Sequence, residues 1–448
     1  MRANMLSVAV FFASILAFLP GESAAAESMS LSDCIARALD LNLSIQGGRE
    51  AVTAARGGML EARSGFLPNL SLNGSYNFIE EPQTIGWPDS TGQLRDLKFD
   101  VTKDYTFQFT LSQPVYSGGR LTSSYRIAGL SHEIALADLE TRQADVTLSV
   151  TEAFYGLMLA RESVEVTRQA IEIAEEFLRI AKARYDAGEA SSFEVMRAEV
   201  EVSNLMPGLI AARNQVALSE LTLKNAMGVD PDQPIEFVGA FEEDDFDIGL
   251  EDALETALRQ RPEMKINDLQ KNMAAQSVRL AKAGRLPSLA VSANYDFRSD
   301  KLSLSGDEVE KTYAGYLVLS FPIFDGLRTK SQISQAYSQH RQAEIAETGL
   351  KDMIELEVRS ALLAIDAARE TLKSQEKNVE MAGEGLDIAN QRYMQGYATN
   401  LEVMDAQLAL NRARTNRIQA LHDLSMAIAR TKKAMGILTG TSKSGARS

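Results

Sequence analysis

A single cysteine, three histidines and one tryptophan in 448 residues exclude several kinds of protein at the outset. One thiol cannot close a disulfide within the chain, and Cys34, set beside Ile35, Ala38 and Leu39 at helical spacing, reads as core. His132, His340 and His422 lie on separate stretches, unaccompanied by an HExxH, a CxxC, a phosphate-binding loop or a nucleophile elbow. No metal centre, no cofactor and no enzymatic activity are therefore expected. Positive charge is also short: 46 Lys and Arg against 61 Asp and Glu leave −15, which disfavours nucleic acid as a partner and is compatible with cationic or neutral cargo. Aromatics make up only 7% and prolines number eleven, so long uninterrupted helices fit better than several globular domains. Beyond residue 26 no apolar stretch approaches the roughly eighteen residues of a transmembrane helix. Any passage through a membrane must then be made by strands.

The first 26 residues read as a secretory signal peptide. Arg2 supplies charge, Met5 to Leu19 is apolar, Pro20-Gly21 breaks the run, and Ala24-Ala25-Ala26 offers a small-residue cleavage site before Glu27.

What the chain does contain is itself, twice. Leu31 to Phe78 matches Leu250 to Phe297 at a shift of 219, most clearly where FLPNLSLNGSYNF (66–78) meets RLPSLAVSANYDF (285–297). The shift then becomes 208: LSQPVYSGGR (111–120) meets LSFPIFDGLR (319–328), RYDAGEASSFEVMRA (184–198) meets RYMQGYATNLEVMDA (392–406), and Met227-Gly228 meets Met435-Gly436. The first copy has the longer loop after Phe78, by eleven residues. The spacing predicts a first repeat over 27–228, a connecting segment over 229–249, a second repeat over 250–438 and a small, polar, disordered tail over 439–448.

Within each copy the period changes from helical to two and back. Leu70, Leu72, Tyr76 and Phe78 alternate with Ser71, Asn73, Ser75 and Asn77, and Tyr105, Phe107, Phe109 and Leu111 alternate with Thr106, Gln108, Thr110 and Ser112. Strands are expected at about 67–80 and 104–114, and in the second copy at about 286–299 and 311–322, the last alternating less cleanly. Two hairpins cannot close a barrel alone, and lipid does not tolerate open edges, so spanning requires several chains.

The helices carry a heptad seam: Val146, Val150, Ala153, Leu157, Ala160 and Val164 continue to Tyr185 by steps of four and three, and Ile354, Val358, Ala361, Ile365, Ala368 and Leu372 continue to Tyr393. A helix from Arg120 to Tyr185 would be on the order of 100 Å long. Pro207-Gly208 is expected to kink or bulge the returning helix of the first copy alone.

The duplicated layout, the LPxLxxxxxYxF and P[VI][YF]xGxR signatures flanking the strands, and the RYxxG turn followed by EVMxA resemble the TolC-type outer membrane efflux protein family over about nine-tenths of the chain. That resemblance implies a mainly α chain with a β-barrel portion. It implies a homotrimer whose twelve strands span the outer-membrane lipid and continue as an α-helical tunnel through the periplasm. The function implied is a passive export duct, docking tip to tip with a periplasmic adaptor protein and an inner-membrane pump, and serving either small-molecule efflux or type I protein secretion. A soluble periplasmic coiled-coil adaptor or tether is the rival, but it has no need of strands.

The resemblance also places a closed entrance at the two helix turns, 185–192 and 393–400, with Gly188, Ala190, Gly396 and Ala398 at the adaptor-docking tips. Glu402 and Asp405 match pore-lining acids of the family. Six carboxylates in a trimer would attract cations and raise one another's pKa. Tyr393 and Glu194 match a pair whose hydrogen bond helps to hold the entrance shut. Where a well-studied member carries a second locking arginine this chain has Ala398, so its entrance is held by fewer contacts, or by Arg197 or Arg392.

Overall fold

The structure is a computed structural model describing residues 27–78, 80, 83–88, 90–99, 103–241, 246–302 and 309–438. The expected signal peptide, and all of the expected tail, lie outside the described residues. In chain order the elements are β1 (Glu27–Met29), α1 (Leu31–Leu41), α2 (Leu43–Ser64), β2 (Asn69–Phe78), β3 (Gln83–Pro88), β4 (Leu94–Phe99), β5 (Lys103–Tyr116), α3 (Arg120–Asp186), α4 (Ser192–Met227), β6 (Ile235–Phe237), α5 (Leu250–Gln260), α6 (Pro262–Ala283), β7 (Ser288–Ser299), β8 (Glu310–Ser320), α7 (Arg328–Met394) and α8 (Asn400–Ala434).

Period-two alternation becomes a four-stranded antiparallel sheet in the order β2-β5-β7-β8. Its register puts like beside like: Leu72 faces Phe109, which faces Tyr295, which faces Tyr313. One face therefore carries Leu70, Leu72, Phe107, Phe109, Tyr295 and Leu317, and the other Asn73, Ser75, Gln108, Thr110, Asn294 and Asp296. Tyr76 and Tyr105 stack at 4.6 Å, and Phe109 meets Phe297 edge-on at 6.1 Å. On the polar face Arg298 Nε lies 3.3 Å from Asp104 Oδ1. Tyr316 and Val318 place bulk on that same face, which is where the alternation of β8 fails. Neither β2 nor β8 has a neighbour on its outer side among the described residues.

The helices repeat this order. Nearest the sheet, α2, α3, α6 and α7 lie side by side; farther away the sequence is α4, α3, α8, α7. Each 67-residue helix, α3 and α7, runs the whole length, about 100 Å at 1.5 Å per residue. The shorter helices take turns beside them, α2 then α4 beside α3, and α6 then α8 beside α7. The heptad seam is the inner face of these pairs: Val150, Leu157, Ile354 and Val358 are fully buried. α4 continues as one helix through Pro207. Pro207 is exposed, so water can take the Ser203 carbonyl that it leaves without a donor.

The core lies at the equator, where the shorter helices change over. Cys34, Ile45, Val150, Phe154, Leu157 and Phe237 pack together in the first copy, and Ala253, Ala257, Ile354, Val358 and Met435 in the second. Burial, followed by the charge of the adjacent Asp33, pushes the Cys34 thiol up to about 12, an inert core group. The connecting segment contributes β6, paired in parallel with β1. Arg161 donates to the Phe237 carbonyl at 2.5 Å and its repeat mate Arg369 to the Phe246 carbonyl at 2.6 Å, so each long helix grips the segment at an equivalent place.

The two copies close with the same device. Gly228 and Gly436 both end a returning helix at φ +73°. A Cβ at Gly228 would lie 2.9 Å from the Leu41 carbonyl oxygen, and one at Gly436 2.9 Å from the Arg261 nitrogen. Asn42 Nδ2 donates to the Ala226 carbonyl at 2.8 Å, and Arg261, at the equivalent place in the second copy, reaches the Ala434 carbonyl at 3.5 Å. Arg261 also pairs with Glu263 and Glu357 at 3.0 and 2.6 Å. Gly228→Ala and Gly436→Ala are each expected to cost about 1–3 kcal/mol, read as a lower thermal unfolding midpoint. Gly57→Ala, helical with open space at its Cβ, should leave the midpoint unchanged or raise it.

Candidate functional site

At the end farthest from the sheet, each long helix turns back through five residues. Tight reversal requires a left-handed residue after the helix, and Gly188 (φ +76°) and Gly396 (φ +78°) supply it. Ser191 and Thr399 then cap the returning helices, each in a reciprocal box with the acid three residues on, Glu194 and Glu402. Ala190 and Ala398 sit half-buried in the turns, Ala398 against the apolar tip cluster.

That cluster joins the two copies. Phe177, Ala181 and Ala198 of the first pack against Leu386, Tyr393, Val403 and Leu410 of the second. Tyr393, 2% exposed, is the centre of it. Its hydroxyl donates to Glu194 Oε2 at 3.1 Å, and Arg184 Nη1 donates to its carbonyl at 2.6 Å. The Arg184 guanidinium lies 4.7 Å from the ring centroid, with Phe177 at 5.1 Å. Asn400 Nδ2 donates to the Glu194 carbonyl at 3.1 Å. Burial first, then the neighbouring Glu194, pushes the Tyr393 hydroxyl above its ordinary pKa, so it stays a donor.

The arginine at this junction is Arg184, which sequence reasoning passed over. Arg197 instead lies over the Phe193 ring at 6.0 Å, and Arg392 reaches only the Tyr397 carbonyl at 3.4 Å. The signal was present: an Arg-Tyr pair ends the long helix in both copies, at Arg184-Tyr185 and Arg392-Tyr393. Spacing could not show that the arginine of one copy serves the tyrosine of the other.

Glu402 and Asp405 are both exposed on the first turns of α8. The Thr399 backbone N–H and hydroxyl lie 3.2 and 3.1 Å from Glu402 Oε1. Those bonds, helped by the charge of Arg392, hold the Glu402 carboxyl below the usual carboxylate range. Within one chain the cap, and not a neighbouring acid, sets the direction of the Glu402 shift. Among the described residues no group of three or more His, Cys, Asp or Glu side chains is placed to hold a metal ion.

No described helix is long and apolar enough to cross a membrane. The four-stranded sheet carries a long exposed apolar face, with Leu70, Leu72, Tyr76 and Phe78 on β2 and Tyr313, Leu317 and Leu319 on β8. The model of the family described as outer membrane efflux protein matches residues 34–229 and 253–437, nearly all of both repeats. The chain belongs to the outer membrane efflux protein family. It is similar to the outer membrane efflux protein BepC of Brucella suis, with 23% identity over 423 residues, 94% of this chain and 88% of that one. The Campylobacter jejuni CmeC outer membrane channel shares the fold with a TM-score of 0.76 and 19% identity, over 97% of this chain and 94% of that chain. The outer membrane protein VceC of Vibrio cholerae does so with a TM-score of 0.74 and 18% identity, over 91% and 96%. This member of the family is an export duct of the outer membrane, in a family of efflux channels rather than enzymes.

In Tyr393→Phe the buried ring stays while one hydrogen bond to a charged acceptor is lost, typically about 1.5–3 kcal/mol. Amide hydrogen exchange through the second tip turn should accelerate by at least tenfold, with the equatorial helices unchanged. Equal exchange in both proteins would show that the bond does not hold the tip.

Proposed function

We propose that three copies of this chain close into a twelve-stranded barrel continued by a helical tunnel, forming a passive conduit from periplasm to exterior. The carrying observation is the shape of one chain: sheet and helices form a single-layer wall in matching order, open along both edges. Unpaired edges of β2 and β8 cannot face lipid, since each bare backbone group there costs several kcal/mol. The duplication supplies the closing rule. β5 pairs with β7 inside the chain, and the same pairing between their repeat mates joins β8 to the β2 of a neighbour. Carrying the observed register across places Leu317 opposite Tyr76, Val318 opposite Ser75 and Phe321 opposite Leu72 of the adjacent copy. Every pair keeps face with face, leaving the apolar side to lipid.

In this reading the tips are the periplasmic entrance. The turns at Gly188 to Ala190 and Gly396 to Ala398 are the docking points of a periplasmic adaptor, which with an inner-membrane pump biases the hairpins outward. Tyr393 and Glu194 hold the closed form, and Glu402 and Asp405 line the constriction as a cation-attracting ring. Opening is a shear between packed helices and consumes no nucleotide in the duct itself. The soluble tether is disfavoured by the exposed apolar sheet face, for which a coiled-coil tether has no use.

Ser75→Cys combined with Val318→Cys should yield covalent dimers and trimers on oxidation, since directly opposed antiparallel residues lie within disulfide reach. Monomers alone would overturn the closure. In planar bilayers the native duct should show small, cation-selective openings that widen and lose selectivity in Glu402→Ala with Asp405→Ala. Because capping lowers the Glu402 pKa, its charge is present at and above the usual carboxylate range and is lost only as pH falls below it. Thr399→Val should therefore move the loss of selectivity to higher pH.

A further inference from the structure

The contact that joins the two copies at the tip uses four polar residues: Tyr393, Glu194, Arg184 and Asn400. Their repeat mates are Tyr185, Glu402, Arg392 and Ser192. Tyrosine, glutamate and arginine are kept, and the fourth position keeps a side-chain donor. Yet within one chain this second set does not assemble. Tyr185 is 49% exposed where Tyr393 is 2%, and its hydroxyl has no partner among the described residues. Among the described residues Glu402 is hydrogen-bonded only within its own cap, with the Arg392 charge nearby, and Arg392 donates to the Tyr397 carbonyl. Glu194 makes the equivalent cap and still accepts from Tyr393 with its other oxygen, so capping leaves Glu402 one oxygen for a second donor.

The layout of the wall says where that donor lies. Inside the chain the copies meet where α3 lies beside α8; the same step, repeated, brings α7 beside the α4 of a neighbouring chain. Those two helices are the outer members of the layer, and each leaves an apolar flank unpaired, with Met196, Val200 and Ile210 exposed on α4 and Met381, Ile388 and Met394 on α7. A neighbour seated there carries its own Tyr185 at the end of its α3, as Tyr393 stands at the end of α7 against the first copy.

We propose that Tyr185 of each chain donates a hydrogen bond to Glu402 of the adjacent copy, with Arg392 of that copy over its ring, forming a second latch across every subunit boundary. The closed entrance is then held by six latches of one design, three within chains and three between them. Glu402 is in the first instance a latch acceptor. Asp405, whose repeat mate is Arg197, is the position where the copies diverge in charge, and it stands beside Glu402 in the ring at the passage.

The inference rests on the assembly of several chains into the duct, and its test separates the two. Purified, membrane-extracted protein carrying Tyr185→Cys and Glu402→Cys is treated with a short bis-maleimide and resolved under denaturing conditions. The latch predicts covalent dimers and trimers; bridging confined to single chains, or no bridging in protein that native mass measurement shows to be trimeric, overturns it. Absence of any trimer overturns the duct assembly as well. In bilayers Tyr185→Phe should shift the open-to-closed ratio toward open by roughly tenfold, and Tyr185→Phe with Tyr393→Phe further than either alone. A Tyr185→Phe duct indistinguishable from the native one, while Tyr393→Phe opens, also overturns it.

Discussion

Backbone hydrogen bonding at the two margins of the sheet sets the terms for everything else in this molecule. Among the described residues, four strands laid in one layer leave the outer N–H and C=O groups of β2 and β8 without partners, and a bilayer offers no substitute. The chain cannot be complete in that environment alone. Below the sheet the same condition appears in apolar form: α4 and α7 carry exposed methionine, valine and isoleucine along the edges of a helical layer whose middle is well packed. A wall segment, and not a globule, is what this sequence builds.

Duplication solves the closure problem with few instructions. One supersecondary unit, written twice, already contains both sides of its own junction, so a junction made once inside the chain can be made again between chains. Equivalent residues perform equivalent tasks at Arg161 and Arg369, at Asn42 and Arg261, and at Gly228 and Gly436. The departures are informative for the same reason. Gly385 stands where Phe177 packs on Tyr393, and Asp405 where the first copy has Arg197.

The parts legible in the sequence were those with a period. Leu70 to Phe78 and Val291 to Phe297 announce strands because one side of each meets apolar surroundings, and Val146 to Tyr185 announces a helix because its seam meets another helix. What escaped was aperiodic. β1 and β6 are three residues each, too short to show alternation, and the β3–β4 hairpin occupies the longer first loop without one. Pro207 signalled a kink or bulge, and with a single missing hydrogen bond on an exposed face α4 continues through it as one helix of 36 residues. The tip acids were found through the family resemblance, while the capping that governs Glu402 and the reach of Arg184 across the repeat boundary needed coordinates. A local pattern specifies an element; which distant side chain it meets depends on the layer order.

The continuity of α3 and α7 past the equator has a mechanical meaning. Each is clasped midway, at Arg161 or Arg369, while its companion helix changes there from one to the next. The lower part of α3, from Arg161 to Asp186, is a stiff arm of about 40 Å. Turning such an arm by only ten degrees about its clasp carries the far end through about 7 Å, more than twice the length of a hydrogen bond. A modest rotation at the clasp would thereby be geared into a wide displacement of the tip turn, with the sheet left undisturbed.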